Sequence, residues 1–223
     1  KTSVVALWLI ALANKPHATP RRLVYVVNRR TVVDQTTTEV EKLYQRLANK
    51  PELASLAAQL RELIALPCET PLAISTLRGQ YTDNGEWKSD PSRPAVIIGT
   101  VDLIGSGLLF SHYRAGFKTR PLYAGFLGQD ALLVHDEAHL EPAFQKLLEA
   151  IKITQPGSDF RPLRIMALTA TSRSGGTEFG LTEADTQNAI VKKRFTAVKK
   201  LTLIQVDDIG EAIIAKTKDF TSG

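Results

Sequence analysis

An Asp-Glu pair follows an apolar segment in the second half of the sequence. Asp136, Glu137, Ala138 and His139 come one residue after the apolar residues 131–134. A carboxylate at the carboxyl end of a buried strand lies where open α/β sheets bind ligands. Two adjacent carboxylates there suit nucleotide hydrolysis, because one can order Mg²⁺ while the next polarises the attacking water. The structural alternative is a helix start, with Asp136 as the N-cap and Glu137 complementing the helix dipole.

A second candidate pair, Lys1-Thr2, opens the sequence and leads into the apolar residues 4–13. This is how the phosphate-binding motif G-x-x-x-x-G-K-[ST] ends, where the lysine contacts the β- and γ-phosphates and the hydroxyl binds Mg²⁺. The glycines of that motif are not in this sequence. The pair therefore indicates a phosphate site only in combination with the Asp-Glu segment that follows much later in the chain.

A third candidate, Thr169-Ala170-Thr171, ends another predicted buried strand, residues 163–168. Hydroxyls at a strand terminus often cap backbone groups. The functional alternative is a hydroxyl pair that bonds to the segment of Asp136 and relays the state of the nucleotide. The order Lys-Thr, Asp-Glu, Thr-Ala-Thr along the chain favours the functional interpretation.

The histidines do not predict a metalloprotease or a nuclease centre. His135 and His139 are four residues apart, but they leave a strand, and zincin chemistry needs both imidazoles on one helical face. His135-Asp136 also spells the HD dipeptide of metal-dependent nucleases, which need further histidines. Only His17 and His112 remain in the chain.

Apolar segments without polar alternation, separated by helix-like segments, predict a parallel α/β sheet that is covered on both faces. The predicted strands are residues 23–27, 72–75, 95–98, 131–134, 163–168 and 201–206. The predicted helices are residues 2–13, 31–48, 51–66, 103–110, 142–151 and 208–218.

Composition narrows the setting in which this chain works. The longest apolar run has ten residues, and a bilayer needs about twenty, so no membrane span is predicted. Lys and Arg number 28 against 23 Asp and Glu, and this excess of +5 permits a polyanionic partner. Cys68 is the only cysteine and indicates a reducing compartment. We therefore expect a cytoplasmic protein.

Together, these motifs resemble those of superfamily 2 helicases, in the expected order. Lys1-Thr2 resembles the end of motif I, Asp136-Glu137-Ala138-His139 motif II, and Thr169-Ala170-Thr171 motif III. Three further segments resemble the motifs that contact nucleic acid: residues 28–35 with Asn28, Arg29, Arg30 and Gln35, then Arg78-Gly79, and then Thr100 with Asp102. Trp87, in a polar loop, either stacks on a base or packs its own loop.

The resemblance implies a fold, a set of cofactors and a set of roles. Residues 1–175 would form a first RecA-like domain, a parallel sheet flanked by helices that lacks its first strand and phosphate loop. Residues 176–223 would lead toward a second motor domain. ATP and Mg²⁺ are the implied cofactors, with Lys1 and Thr2 on ATP, and Asp136 and Thr2 on Mg²⁺. Glu137 would be the general base, and His139, Thr169, Ala170 and Thr171 would link hydrolysis to domain movement.

A narrower resemblance is to the helicase–nuclease subunit of type I CRISPR systems, and its details are similar to the type I-G branch (formerly I-U). It rests on residues 26–35, 75–79, 99–106 and 132–139. The implied partners are single-stranded DNA, a crRNA-guided surveillance complex of the Cascade type, and a second RecA-like domain and an HD nuclease domain of the same parent protein. The chain departs from that family in lacking the phosphate-loop glycines, the HD domain and the second RecA-like domain, so alone it is expected to be inactive.

Two alternatives stay open at this stage. One is another superfamily 2 motor, either an RNA helicase or a restriction translocase. The other is a degenerate domain that binds nucleic acid without turning over ATP.

Overall fold

The computed structural model describes residues 1–77, 85–112, 115–155, 161–169, 177–198, 201 and 203–221, with side chains to residue 217. The chain divides into two compact units, Lys1–Ser174 and Gly175–Gly223. The strands are β1 (Arg22–Val27), β2 (Ala73–Leu77), β3 (Ala95–Thr100), β4 (Ala131–Asp136) and β5 (Arg164–Leu168). The helices of the first unit are α1 (Ser3–Asn14), α2 (Arg30–Asn49), α3 (Ala54–Arg61), α4 (Glu86–Ser89), α5 (Val101–Leu108), α6 (Arg120–Gly128) and α7 (Pro142–Thr154).

The first unit is built on one five-stranded parallel sheet in the order β2-β3-β1-β4-β5. This confirms the predicted α/β class and is consistent with a RecA-like fold. The central strand β1 pairs with β3 on one side and β4 on the other. Because all the strands are parallel, their carboxyl ends meet at one edge of the sheet. Val27 is level with Thr100 at that edge, and Asp136 is level with Leu168.

Each face of the sheet is covered by its own set of helices except at the edge strand β5, where no residue is buried in the part of the chain that the structure describes. The prediction that this strand is buried like the others is therefore wrong. Alternate residues of β1 enter two separate cores: Val24 and Val26 pack with side chains of α5, α6 and α7, whereas Leu23, Tyr25 and Val27 pack with those of α1, α2 and α3. The period of two along a strand produces this division. It also explains why β1 has no polar residue except its first, since both of its faces are buried.

The second unit contains α8 (Glu183–Gln187), α9 (Ala189–Phe195) and α10 (Ile209–Thr221). The Thr182 hydroxyl accepts from the Asp185 amide and the Asp185 carboxylate accepts from the Thr182 amide, which together form a capping box at the start of α8. At the start of α9, the Asn188 side-chain oxygen accepts from the amides of Ile190 and Val191. In the described part of the chain, no helix combines the length and apolarity that a membrane span requires.

Three local features differ from the sequence prediction. The described residues of the segment 201–206 form no strand and are exposed, because an apolar run becomes a strand only where a neighbouring strand supplies hydrogen bonds. Helices α4 and α6 have no predicted counterpart. Trp87, in α4, is buried in edge-to-face contact with Tyr123 and Phe126. It therefore packs its own segment and is not available to stack on a base.

A buried carboxylate anchors the segment that leads into β3. Asp90 accepts hydrogen bonds from the Ser92 amide (2.9 Å), the Ser92 hydroxyl (2.5 Å) and the Leu66 amide (3.2 Å). Burial alone would raise the pKa of Asp90, but the hydrogen bonds from Ser92 and Leu66 outweigh it, so its pKa is lowered. The native state therefore holds this carboxylate in its charged form.

We expect Asp90→Asn to lower the free energy of unfolding at pH 7 by about 1–3 kcal/mol, because buried amides and a hydroxyl lose a charged acceptor. A group whose pKa is depressed in the native state stabilises above its unfolded pKa, and this stability is lost as the pH falls through the native value. The difference in the free energy of unfolding between the variant and the wild type, measured in urea, should thus become smaller as the pH is lowered from 7 to 3. Glu41→Gln, at an exposed carboxylate, is the control and should show no such gap.

Candidate functional site

The sheet topology creates a crevice beside the carboxyl ends of β1 and β4. β1 leads into α2, which packs on one face of the sheet, and β4 leads through a short turn into α7, which packs on the opposite face. Neighbouring parallel strands whose following helices diverge in this way leave a gap at their carboxyl ends, where ligands of open α/β sheets bind. Asp136, the last residue of β4, lies at this position.

The Asp136 carboxylate is nearly buried, with 8% of the residue exposed, and three donors hold it. The Tyr25 hydroxyl donates to Oδ2 at 3.1 Å. The Lys1 ammonium (2.8 Å) and the Glu137 amide (2.9 Å) donate to Oδ1. A buried charge requires such compensation, since an unpaired carboxylate would be strongly disfavoured there.

Lys1 bridges both carboxylates of the Asp-Glu pair, because its ammonium also donates to Oε1 of Glu137. Partial burial lowers the pKa of Lys1, but the hydrogen bonds and charges of Asp136 and Glu137 outweigh it, and the pKa is raised. The ammonium is thus charged at neutral pH. The structure therefore brings together the two ends of the predicted nucleotide site, which lie 135 residues apart.

Glu137 has a left-handed backbone (φ 53°, ψ 44°), a conformation that non-glycine residues rarely adopt. This residue turns the chain from the end of β4 into the 3-10 turn Ala138–Leu140. Its side chain is 41% exposed. Local strain of this kind is commonly retained at functional sites, and here it aims a carboxylate toward solvent beside a buried one.

His139 connects the Asp-Glu pair to the end of β5. Its Nδ1 lies 3.5 Å from Oε2 of Glu137 and 3.4 Å from the Thr169 hydroxyl. Thr169 directly follows β5, so this imidazole spans the ends of two neighbouring strands. The other two predicted coupling residues, Ala170 and Thr171, lie outside the described residues.

A cleft of about 480 Å³ opens between the start of α1, the end of β4 and one side of α2. Its lining consists of Lys1, Thr2, Tyr25, Val32, Gln35, Thr36, Thr38, Glu39 and Asp136. Thr2 precedes α1 and lies in the cleft as the predicted nucleotide site requires. Gln35, predicted to contact nucleic acid, lines this same cleft.

The remaining predicted nucleic-acid residues lie at the same edge of the sheet, beside β1 and β3. Asn28 and Arg29 link β1 to α2, and Arg30 is the first residue of that helix. Thr100 and Asp102 occupy the junction of β3 with α5. Arg29 and Arg30 are exposed and make no ion pair with the described part of the chain. Arg78 and Gly79 lie outside the described residues.

Among the described residues, no side chain caps the first turn of α2 or of α5, so amides at both helix starts have no side-chain partner there. The two helix starts are neighbours because Val27 and Thr100 are level in the sheet. Open amides next to two unpaired arginines form a surface that suits successive phosphates.

His135 points into the opposite face of the sheet from Asp136. It is fully buried, contacts the Phe144 ring edge-to-face, and its Nδ1 lies 3.2 Å from the amide oxygen of Gln145. The imidazole therefore belongs to the core.

The donor set fits Mg²⁺ shared with phosphate better than it fits a cation held by protein alone. Asp136 and the Thr2 hydroxyl supply hard oxygen donors in the lining of the cleft, and the Glu137 carboxylate lies beside them. Among the described residues no group of three acidic, cysteine or histidine side chains has the arrangement of a metal cage. Mg²⁺ commonly binds through one or two carboxylates together with substrate phosphates.

The sequence analysis did not identify Tyr25 as part of this site. A tyrosine inside a buried strand is normally a core residue, and the ring of Tyr25 does lie in the core. The signal was the hydroxyl itself, since Tyr25 is the only residue with a polar side-chain atom in the otherwise aliphatic segment 23–27. A buried tyrosine hydroxyl usually has a partner.

The left-handed backbone of Glu137 predicts that glycine is more stable than alanine at this position. Relief of the steric conflict stabilises the glycine variant by about 1–2 kcal/mol relative to alanine. The greater freedom of glycine in the unfolded chain offsets about 0.4–1 kcal/mol of this gain. We therefore expect the free energy of unfolding of Glu137→Gly, measured in urea, to exceed that of Glu137→Ala by about 0.5–1 kcal/mol. At Glu41, an exposed helical position, the same pair should have the opposite sign, with glycine less stable by about 1 kcal/mol. Equal signs at both positions would contradict the strained geometry of Glu137.

Neither the models of protein families nor the curated proteins contain a match to this chain. The resemblance to helicases therefore rests on the motifs in the sequence. The structural basis for a function is the geometry that brings together five residues: Lys1, Asp136, Glu137, His139 and Thr169.

Proposed function

We propose that this chain is the first motor domain of an ATP-dependent translocase that moves along single-stranded nucleic acid. The observation that carries the proposal is the contact of the Lys1 ammonium with both Asp136 and Glu137 at the carboxyl edge of a parallel sheet. Nucleotide hydrolysis needs a cation for the phosphates and a pair of carboxylates with separate duties at one point. The fold supplies these groups from its first residue and from the end of β4.

Each group in the site then has a distinct chemical task. The Lys1 ammonium neutralises charge on the phosphates, and Asp136 and Thr2 hold Mg²⁺, which stabilises negative charge that develops on the phosphate oxygens. The exposed Glu137 carboxylate orients the attacking water and accepts its proton while the bond to the leaving diphosphate breaks. His139 contacts Glu137 and Thr169, so a change at the phosphate can reach the end of β5.

Arg29, Arg30 and the open amides of α2 and α5 are the proposed track for the nucleic-acid backbone. These groups contact phosphate charge and carry no information about bases. The track lies on the same edge of the sheet as the Asp-Glu pair, with β1 shared between them. A domain that binds both ligands along one edge can link hydrolysis to movement of the strand.

The finer assignment, to single-stranded DNA and to the helicase–nuclease of type I CRISPR interference, rests on the resemblance of residues 26–35, 75–79, 99–106 and 132–139. Its test is the stimulation of ATPase activity in the full-length natural protein. Single-stranded DNA should stimulate hydrolysis, and RNA of the same sequence should not. Equal stimulation by RNA would favour another superfamily 2 motor.

Glu137→Gln in the full-length natural protein tests the proposed chemistry. The amide keeps the shape of the carboxylate but cannot accept a proton from water. Turnover should therefore fall by roughly 10²- to 10⁴-fold, the usual share of a general base. The binding free energies of ATP and of single-stranded DNA, obtained from Kd values measured by calorimetry and fluorescence anisotropy, should change by less than about 1 kcal/mol.

Asp136→Asn is the companion to that variant, because it removes a charge that orders the metal. It should weaken Mg·ATP binding as well as turnover. Unchanged turnover in both variants would sink the hydrolase proposal and favour a domain that binds nucleic acid without ATPase activity.

Arg29→Ala with Arg30→Ala should weaken binding of single-stranded DNA about equally for all sequences. The slope of log K against log[salt] should become shallower by about 0.7 for each lost phosphate contact. Arg46→Ala is the matched control, since it removes an exposed arginine about 24 Å away along the same helix. An unchanged slope in the double variant would make Arg29 and Arg30 ordinary surface residues.

A further inference from the structure

Tyr25 crosses the core diagonally to reach the site. Its backbone is level with Val134 in β4, two residues before Asp136. Side chains two positions apart on neighbouring strands share a face and lie within reach of an aromatic ring. The ring packs in the core beneath α1 and α2, and its hydroxyl emerges at Oδ2 of Asp136.

Burying the Tyr25 hydroxyl in this position carries a desolvation cost that its hydrogen bond to Asp136 must offset. The residue is only 1% exposed, and its neighbours in the strand, Val24 and Val26, are aliphatic. A phenylalanine would fill the same space without a polar atom to desolvate. Burial, and then the charge and hydrogen bond of Asp136, raise the pKa of Tyr25 far above its usual value.

The donors on Asp136 divide its two oxygens. Tyr25 contacts Oδ2 from the core, whereas the Lys1 side chain, which is 47% exposed, contacts Oδ1 from the cleft. A carboxylate held at one oxygen by a rigid ring cannot rotate freely about its terminal torsion. Its other oxygen is then presented to the cleft in a fixed orientation.

We propose that Tyr25 is a positioning residue, which orients the Asp136 carboxylate toward the metal of the nucleotide site. The inference rests on the proposed function, because it requires Asp136 to bind a divalent cation. It assigns to a core tyrosine a role in metal affinity, and it leaves the proton transfer to Glu137.

The test compares Tyr25→Phe with Tyr44→Phe in the full-length natural protein. Both variants remove one hydroxyl from a tyrosine of the same apolar core, but Tyr44 has no hydrogen-bond partner among the described residues. Electron paramagnetic resonance measures binding of Mn²⁺, as a probe for Mg²⁺, in the presence of adenylyl imidodiphosphate. ATPase activity is measured over a Mg²⁺ titration, and circular dichroism reports the melting temperature.

Groups that orient a metal ligand typically contribute 10- to 100-fold to metal affinity, so Tyr25→Phe should weaken Mn²⁺ binding by about that factor. The half-saturating Mg²⁺ concentration should rise in parallel, and kcat at saturating Mg²⁺ should largely recover. Tyr44→Phe should leave the Mn²⁺ affinity unchanged. A merely structural role would lower the melting temperature of Tyr25→Phe without moving either metal titration.

Asp136→Asn separates failure of this inference from failure of the proposed function. If Asp136→Asn weakens Mn²⁺ binding and Tyr25→Phe does not, the role of Tyr25 is wrong and the nucleotide site stands. If neither variant changes Mn²⁺ binding, or if the wild type binds no Mn²⁺ with the nucleotide analogue, both the inference and the proposed function are overturned.

Discussion

The rest of this structure depends on compensation of one buried charge. The Asp136 carboxylate lies at the end of a strand whose two faces are covered, so it needs donors from several directions. Those donors come from the first residue of the chain, from the central strand and from the adjacent backbone. The charge is compensated only when α1, β1 and β4 are packed in their native arrangement. The packing that forms the sheet therefore also brings the groups of the site together.

The parallel sheet explains how distant segments converge. Every strand in the sheet ends at the same edge, so residues that follow β1, β3, β4 and β5 become neighbours although long helices separate them in sequence. The two flanking cores hold the register, because a shift of one residue would turn Asp136 into the core that now holds His135 and Phe144. That opposite face offers His135 only the Gln145 amide and the ring of Phe144.

The strands could be predicted from sequence for a physical reason. Aliphatic segments such as 131–134 and 95–98 have no polar alternation, and only a doubly covered parallel strand satisfies that pattern. The approach of Lys1 to Asp136 followed from motif order. By contrast, the left-handed turn at Glu137 and the diagonal reach of Tyr25 depend on tertiary packing, which no local pattern encodes. Trp87 shows the same limit, since only the positions of Tyr123 and Phe126 decide that it is buried.

The adjacent carboxylates of the Asp-Glu pair end in opposite environments, and this difference suits them to different duties. Asp136 is nearly enclosed and held at both oxygens, whereas Glu137 is 41% exposed and turns outward on a left-handed backbone. A carboxylate that is held in place from the core suits the proposed metal ligand, because its oxygen on the cleft side then keeps a constant position. An exposed carboxylate beside a cleft can meet water and take up a proton. The proposed roles of metal ligand and general base match this difference in burial. The strain at Glu137 is what creates the division, because a relaxed helical backbone there would not turn the chain out of the sheet directly after Asp136.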